Sequence, residues 1–100
     1  MKPETQKQFE EDARTGLLAV EADNWQLVVW NDDVNTFDWV IESLMEVCHH
    51  TYEQAEQCAL FIHFKGKYAV RHGALEELRG MCEALLTRKI TATVEETADV

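Results

Sequence analysis

The chain changes from a strand-like to a helix-like apolar pattern within a few residues, and this change constrains its fold more than any other feature. Residues Trp25–Trp30 are apolar at almost every position, as expected for a strand covered by helices. Asn31, Asp32 and Asp33 follow directly, and from Phe37 the apolar residues recur at helical spacing. Asn and Asp at such a junction usually form a turn and a helix cap. Because this polar cluster is dense and has apolar neighbours on both sides, it favours a small cation-binding site beside an apolar pocket.

The rest of the pattern predicts two more helices and two more strands. Asn35 or Thr36 can cap the first helix, which ends at His49-His50. A capping box of Thr51 and Gln54 opens a second helix that Gly66 ends. We predict a strand over 67–71, a helix over 74–88 and an alternating strand over 90–94. The order β-α-α-β-α-β predicts an α/β (α+β) fold, in which a small, mainly antiparallel three-stranded sheet packs against three helices.

Length and charge limit the number of domains and the classes of partner. One hundred residues fit one domain, which we place at 25–96, after a flexible acidic extension at 1–24 and before a tail at 97–100. A net charge of −10 disfavours nucleic acid and anionic membranes as partners and favours cationic groups. No apolar run approaches the length of a membrane span. We therefore expect a cytoplasmic protein.

The cysteines predict neither a disulfide framework nor a metal centre. Cys48, Cys58 and Cys82 lack CxxC spacing and fall in helical patterns, which indicates buried, reduced thiols that are poor nucleophiles. A zinc site would have to use adjacent histidines, which rarely face one point, and would draw its ligands from two helices: Cys48, His49, His50, Cys58 and His63. We expect no metal and no cofactor.

The polar cluster and His63 together have the chemistry to bind a free α-amino group. An ammonium group has three donors and one charge, and it needs about three acceptors to leave water. Asn31 offers an amide oxygen, neutral His63 a ring nitrogen, and Asp32 and Asp33 carboxylate or carbonyl oxygens. Apolar residues on the inner helical stripes would form the pocket wall, namely Phe37, Val40 and Ile62. Spacing alone favours a core histidine and a solvated acidic turn over such a site.

Several segments together resemble the ClpS adaptor family, with an NDDVNTF-type motif that marks a divergent member. They are residues 30–40, 55–57, 62–67 and 93–95, and the resemblance extends over nearly all of 25–95. It implies a fold of three strands and three helices and a role that is not enzymatic. Such an adaptor captures proteins by a destabilising N-terminal residue. It then delivers them to a Clp AAA+ unfoldase, of the ClpA or ClpC type, that works with ClpP.

The resemblance also implies roles for particular residues. Asn31, Asp32 and His63 would hold the α-amino group of the substrate, while Asp33 and Asn35 would hold the loop and the first peptide unit. The hydrophobic pocket would comprise Phe37, Val40, Ala59, Ile62 and Ile90. Glu76 would dock on the unfoldase, and residues 1–24 would contact it during delivery.

Two departures from the family pattern affect the expected pocket. Phe37 replaces a flexible methionine at the rim, and Ala59 replaces a methionine that blocks β-branched side chains. We therefore expect N-terminal Leu, Phe, Tyr and Trp to bind, with Ile and Val added unless Phe37 refills the space. Two alternatives remain: an interaction domain of the same fold without N-degron binding, and a small hydrolase using Asp32 and His63. The second is disfavoured because the sequence shows no nucleophile turn.

Overall fold

Six elements follow the predicted order in the computed structural model, which describes residues 24–97. They are β1 (Trp25–Trp30), α1 (Phe37–Cys48), α2 (Tyr52–Lys65), β2 (Lys67–Gly73), α3 (Leu75–Thr87) and β3 (Ala92–Glu96). The predicted fold class is therefore confirmed. The predicted extension at 1–24 and tail at 97–100 lie almost wholly outside the described residues.

The first strand of the chain is the middle strand of the sheet. The strand order is β2-β1-β3, and β1 pairs antiparallel with both neighbours. Leu27 and Val29 are almost completely buried, and they share one core with residues of all three helices, including Leu44, Ala59 and Leu78. The continuous apolar run in β1 follows from this position, because the strand has partners on both edges and helices packed against it.

Side chains cap the beginnings of α1 and α2 as the sequence predicts. The hydroxyl of Thr36 accepts from the backbone N–H of Trp39 at 3.0 Å. At α2, the Gln54 N–H donates to the Thr51 hydroxyl at 3.1 Å, and the Thr51 N–H donates to the Gln54 side chain at 2.9 Å. Gly66 ends α2 at a φ of 90°, a conformation that glycine adopts without a Cβ penalty. These caps fix where each helix begins and ends.

The last strand begins two residues later than predicted, because Ile90 belongs to the end of α3. The Ile90 N–H donates to the Leu85 carbonyl at 3.0 Å, and the Lys89 N–H donates to the Leu86 carbonyl at 2.9 Å. Lys89 is left-handed, with a φ of 71°, which completes a Schellman motif. The buried side chains of Ile90 and Leu85 provide the apolar residues that usually accompany this motif. Ile90 therefore closes a helix, and β3 starts at Ala92.

Two further expectations concern the thiols and the membrane. All three cysteines are free and buried, as predicted. Within residues 24–97, no helix combines the length and the apolar character needed to cross a bilayer.

Candidate functional site

The end of β1 is held by backbone hydrogen bonds from two directions. The Trp30 N–H donates to the Thr91 carbonyl at 3.0 Å, and the Asn31 N–H donates to the Gly66 carbonyl at 2.9 Å. Gly66 is the C-cap of α2, the helix that carries His63 one turn earlier. The backbone therefore places Asn31 and His63 at the same end of the molecule.

Asp32 organises the loop that follows β1. One carboxylate oxygen accepts from the backbone N–H groups of Val34 and Asn35, both at 2.8 Å, and the other accepts from the Asn35 side-chain amide at 2.8 Å. The hydrogen bond from the Asn35 backbone is the main reason why the pKa of Asp32 is lowered from its usual value, against the opposing effect of burial. The family resemblance implies this loop-holding task for Asp33 and Asn35, and Asn35 takes part as the partner of Asp32. Asp33 is exposed and makes no side-chain hydrogen bond with another described residue.

The same loop is tied to the turn between α3 and β3. The side-chain amide of Asn35 donates to the Lys89 carbonyl at 2.9 Å, and the indole N–H of Trp39 donates to the Arg88 carbonyl at 3.1 Å. Arg88 in turn pairs with Glu46 of α1 and lies over the Trp39 ring. These hydrogen bonds connect the polar loop to carbonyl groups at the C-terminal end of α3 that have no partner within the helix. They hold the loop in place against the segment between α3 and β3.

A cavity of about 400 Å³ opens beside this loop. Eight of the eleven predicted site residues line it, and Thr36 joins them: Asn31, Asp32, Asn35, Thr36, Phe37, Val40, Ala59, Ile62 and His63. Ala59 and Ile62 are each 3% exposed, so the cavity has an apolar wall continuous with the core. Phe37 is 40% exposed and lines the cavity from its rim. The cavity thus combines polar groups with an apolar wall.

Three predicted site residues lie elsewhere. Ile90 is 2% exposed and packs in the core, and it does not line the cavity. Asp33 faces solvent in the loop. Glu76 is exposed in the first turn of α3 and pairs with Arg79 at 3.6 Å. The sequence reasoning missed Thr36 as a lining residue, since it considered that position only as a helix cap.

The side chains of Asn31 and His63 retain their hydrogen-bonding capacity. Both are exposed, and neither side chain makes a hydrogen bond to another residue within 24–97. The His63 ring makes an edge contact with Phe64, with centroids 5.1 Å apart. His63 is therefore a surface residue and not a core histidine. It is also not paired with Asp32, whose carboxylate is engaged by its own loop.

The chain is similar to known adaptor proteins in sequence. The family model described as "ATP-dependent Clp protease adaptor protein ClpS" matches residues 20–93. The ClpS adapter protein of Campylobacter jejuni strain 81-176 is 45% identical over 42 residues, which are 42% of this chain and 44% of that protein. The alignment thus spans less than half the length of the Campylobacter relatives. The ClpS adapter of Corynebacterium efficiens is 25% identical over 89 residues, 87% of this chain and 88% of that protein.

A solved structure shares the fold. Agrobacterium tumefaciens ClpS2, bound to L-phenylalaninamide, has a TM-score of 0.70 at 17% sequence identity, covering 75% of this chain and 98% of that one. At this identity the likeness establishes the fold, while the family model covers well over half of the chain. The chain therefore belongs to the ClpS family of ATP-dependent Clp protease adaptor proteins, which are not enzymes.

Proposed function

We propose that the chain binds the free α-amino group and the bulky hydrophobic first side chain of N-degron substrates. It then delivers them to a Clp AAA+ unfoldase that works with the ClpP peptidase. One observation carries this proposal. The side chains of Asn31 and His63 have acceptors without partners among the described residues, and they line the same cavity as buried apolar residues. An N-terminal residue offers the complementary groups, a charged amine for the acceptors and a side chain for the apolar wall.

The polar groups suit an ammonium ion. The amide oxygen of Asn31 and a ring nitrogen of neutral His63 can each accept one ammonium hydrogen, and Asp32 supplies negative charge nearby. The carboxylate of Asp32 acts mainly through its charge, since both of its oxygens already accept from the loop. The ligand of the Agrobacterium relative, L-phenylalaninamide, also combines a free amine with a large apolar side chain.

The apolar part of the cavity suits one large side chain. The whole cavity, with a volume of about 400 Å³, is at the small end of the range for ligand pockets, which fits a single residue better than a longer segment. Burying a Leu or Phe side chain there contributes about 1.5–3 kcal/mol. The small side chain of Ala59 leaves space in the cavity that a longer side chain would fill. The proposed substrates therefore carry N-terminal Leu, Phe, Tyr or Trp, and also Ile or Val.

Delivery would involve surfaces outside the cavity. Glu76 is a candidate contact for an unfoldase of the ClpA or ClpC type, because its side chain is 84% exposed at the start of α3. Residues 1–24, as an extension before the core domain, are the second proposed contact. The place of action would be the cytoplasm, whose reducing conditions suit three free thiols.

Fluorescence anisotropy with a labelled peptide tests the amine assignment directly. A peptide with a free N-terminal Leu should bind, and the same peptide N-acetylated should not, because acetylation removes the charge and blocks the amine. A peptide that starts with Ser and is otherwise identical controls for the side-chain pocket. Equal binding of free and acetylated peptides would contradict the proposal and support an interaction domain without N-degron binding.

A further inference from the structure

A second cavity lies between α2 and β2 and shares no lining residue with the amine cavity. Its volume is about 490 Å³, and its lining includes His50, Cys58, Tyr68 and His72. His50 and Cys58 are in direct contact there, with 3.9 Å between the His50 Nδ1 and the Cys58 Sγ. Neither residue has a part in the proposed amine site.

The backbone fixes the tautomer of His50. Its Nε2 lies 3.0 Å from the carbonyl oxygen of Val70, and a carbonyl can only accept a hydrogen bond. Nε2 therefore carries the proton and donates it, which leaves Nδ1 unprotonated at 3.9 Å from the Cys58 sulfur. Histidine ligands of metal ions are typically oriented in this way, with the second ring nitrogen donating to a carbonyl or carboxylate.

We propose that His50 and Cys58 together bind one Cu(I) ion through Nδ1 and Sγ. Metal–sulfur bonds of about 2.3 Å and metal–nitrogen bonds of about 2.0 Å are typical at protein sites. Across the 3.9 Å between the two atoms, such bonds meet at an angle of roughly 130°. The separation of the two donor atoms is therefore compatible with one bridging ion.

The donor set selects a soft ion. Within residues 24–97 no group of three or more His, Cys, Asp or Glu side chains is placed to hold a metal, so a zinc site with its usual three or four protein ligands is not available. A thiolate and an imidazole suit Cu(I), which accepts low coordination numbers. The cavity leaves room for a water molecule or a small external thiol as a third ligand.

Cys58 differs from the other two cysteines in access and in bonding. Cys48 is completely buried, and burial raises its pKa to about 11. The Cys82 thiol donates to the Ala92 carbonyl at 3.4 Å. Cys58 lines the open cavity, and its one polar contact among the described residues is His50. Burial also raises the pKa of Cys58, so ion binding should release a proton and tighten as the pH rises.

The test uses the full chain, reduced and kept free of oxygen, in competition with a chromophoric Cu(I) chelator. We expect one Cu(I) per chain and no comparable binding of Zn²⁺. Cys58→Ser and His50→Gln should each weaken the affinity by about 100-fold or more, whereas the matched control Cys82→Ser should bind like the wild type. Equal affinity of Cys58→Ser and the wild type, or equal loss in Cys82→Ser, would overturn the assignment.

A second measurement does not depend on any variant. The wild-type chain is treated with iodoacetamide with and without one equivalent of Cu(I), and the modified cysteines are mapped by mass spectrometry. Cu(I) should protect Cys58 selectively. Protection of Cys48 or Cys82 to the same degree, or no protection of Cys58, would refute a His50–Cys58 site even if a substituted chain fails to fold.

Discussion

The backbone N–H of Asn31 donates to the carbonyl of Gly66 at 2.9 Å, so the residue that follows β1 is fixed against the C-cap of α2. His63 lies in the last turn of that helix. This main-chain hydrogen bond places the side chains of Asn31 and His63, which are far apart in sequence, beside the same cavity. The geometry of the proposed amine site consequently depends on the conformation of Gly66 as much as on the two side chains.

Replacing Gly66 with alanine should lower both stability and peptide affinity. A Cβ at this position meets no atom within 4 Å, so the cost comes from the φ of 90° alone and should be about 1 kcal/mol of unfolding free energy. Strain there should also displace the carbonyl that holds Asn31. Urea unfolding and peptide titration measure the two effects.

Gly80→Ala is the matched control for this substitution. Gly80 lies within α3, and a Cβ there also meets no atom within 4 Å. Because alanine is the better helix former, this variant should gain up to about 1 kcal/mol and bind peptide unchanged. If both variants shift in the same direction, backbone conformation is not the cause.

His63→Ala should weaken binding of a Leu peptide about 30-fold, since loss of one acceptor to a charged donor costs about 2 kcal/mol. Unfolding free energy should change little, because the His63 side chain is exposed and makes no hydrogen bond within the described residues. His72→Ala, an exposed histidine of β2, serves as the control. Unchanged affinity in His63→Ala would remove this residue from the amine site.

Ala59→Met should narrow the first-residue preference. Ala59 is 3% exposed on the apolar wall, so a longer side chain must enter the cavity. Binding of N-terminal Ile and Val should fall at least about 10-fold relative to Leu, a difference of about 1.4 kcal/mol. Calorimetry with the three peptides measures the ratio, and thermal unfolding checks that the core accepts the substitution. If wild type already rejects Ile and Val a hundredfold, then the space at Ala59 does not set specificity.

Asp32→Asn should destabilise the fold in a pH-dependent manner. The pKa of Asp32 is lower in the folded chain than its ordinary value of 3.8, so its contribution is complete above that value and is lost as the pH falls through the folded pKa. The stability difference between wild type and Asp32→Asn should therefore be constant near neutral pH and shrink in strong acid. Asp33→Asn, in the same loop, removes no hydrogen bond among the described residues and serves as the matched control. Urea unfolding at several pH values provides the comparison.

His50 should make the fold less stable in mild acid. Burial lowers its pKa below the ordinary 6.5, while its bond to the Val70 carbonyl opposes this shift and the charge of Arg71 adds to it. Below about pH 6.5 the unfolded chain binds a proton that the folded chain does not, so unfolding free energy should fall until the folded pKa is reached. His50→Gln should flatten this slope, and His72→Gln, which leaves the bond between His50 and Val70 in place, serves as the control. An identical slope in all three proteins would exclude His50 as the cause.

Local signals in the sequence predict the helices well. Thr36, Thr51, Gln54 and Gly66 act through residues at most four positions away, so their effect can be read directly from spacing. The apolar stripes likewise place Val40, Ala59 and Ile62 on the cavity wall.

The wrong or missing predictions concern which hydrogen-bonding partner a particular group takes. The Asn35 side chain donates to the carbonyl of Lys89, a main-chain group that any residue type could supply. No sequence pattern therefore predicts this contact. Ile90 continues a strand-like alternation, yet its amide is used by α3. Of the two acids in the loop, only Asp32 accepts hydrogen bonds from backbone amides of the described residues. Composition therefore could not distinguish Asp32 from Asp33.

The central place of β1 in the sheet sets the order in which the site can form. Its last residue, Trp30, bonds to Thr91, and its partner strand β3 includes nearly the last residues described. A contact across so much of the chain is among the slowest to form, because a long loop must close first. During synthesis, β1 leaves the ribosome before β3 and cannot pair with it until β3 has been made. The loop beside the amine cavity therefore gains its contacts with Lys89 and Thr91 late, so a product truncated before Lys89 should bind the amine more weakly.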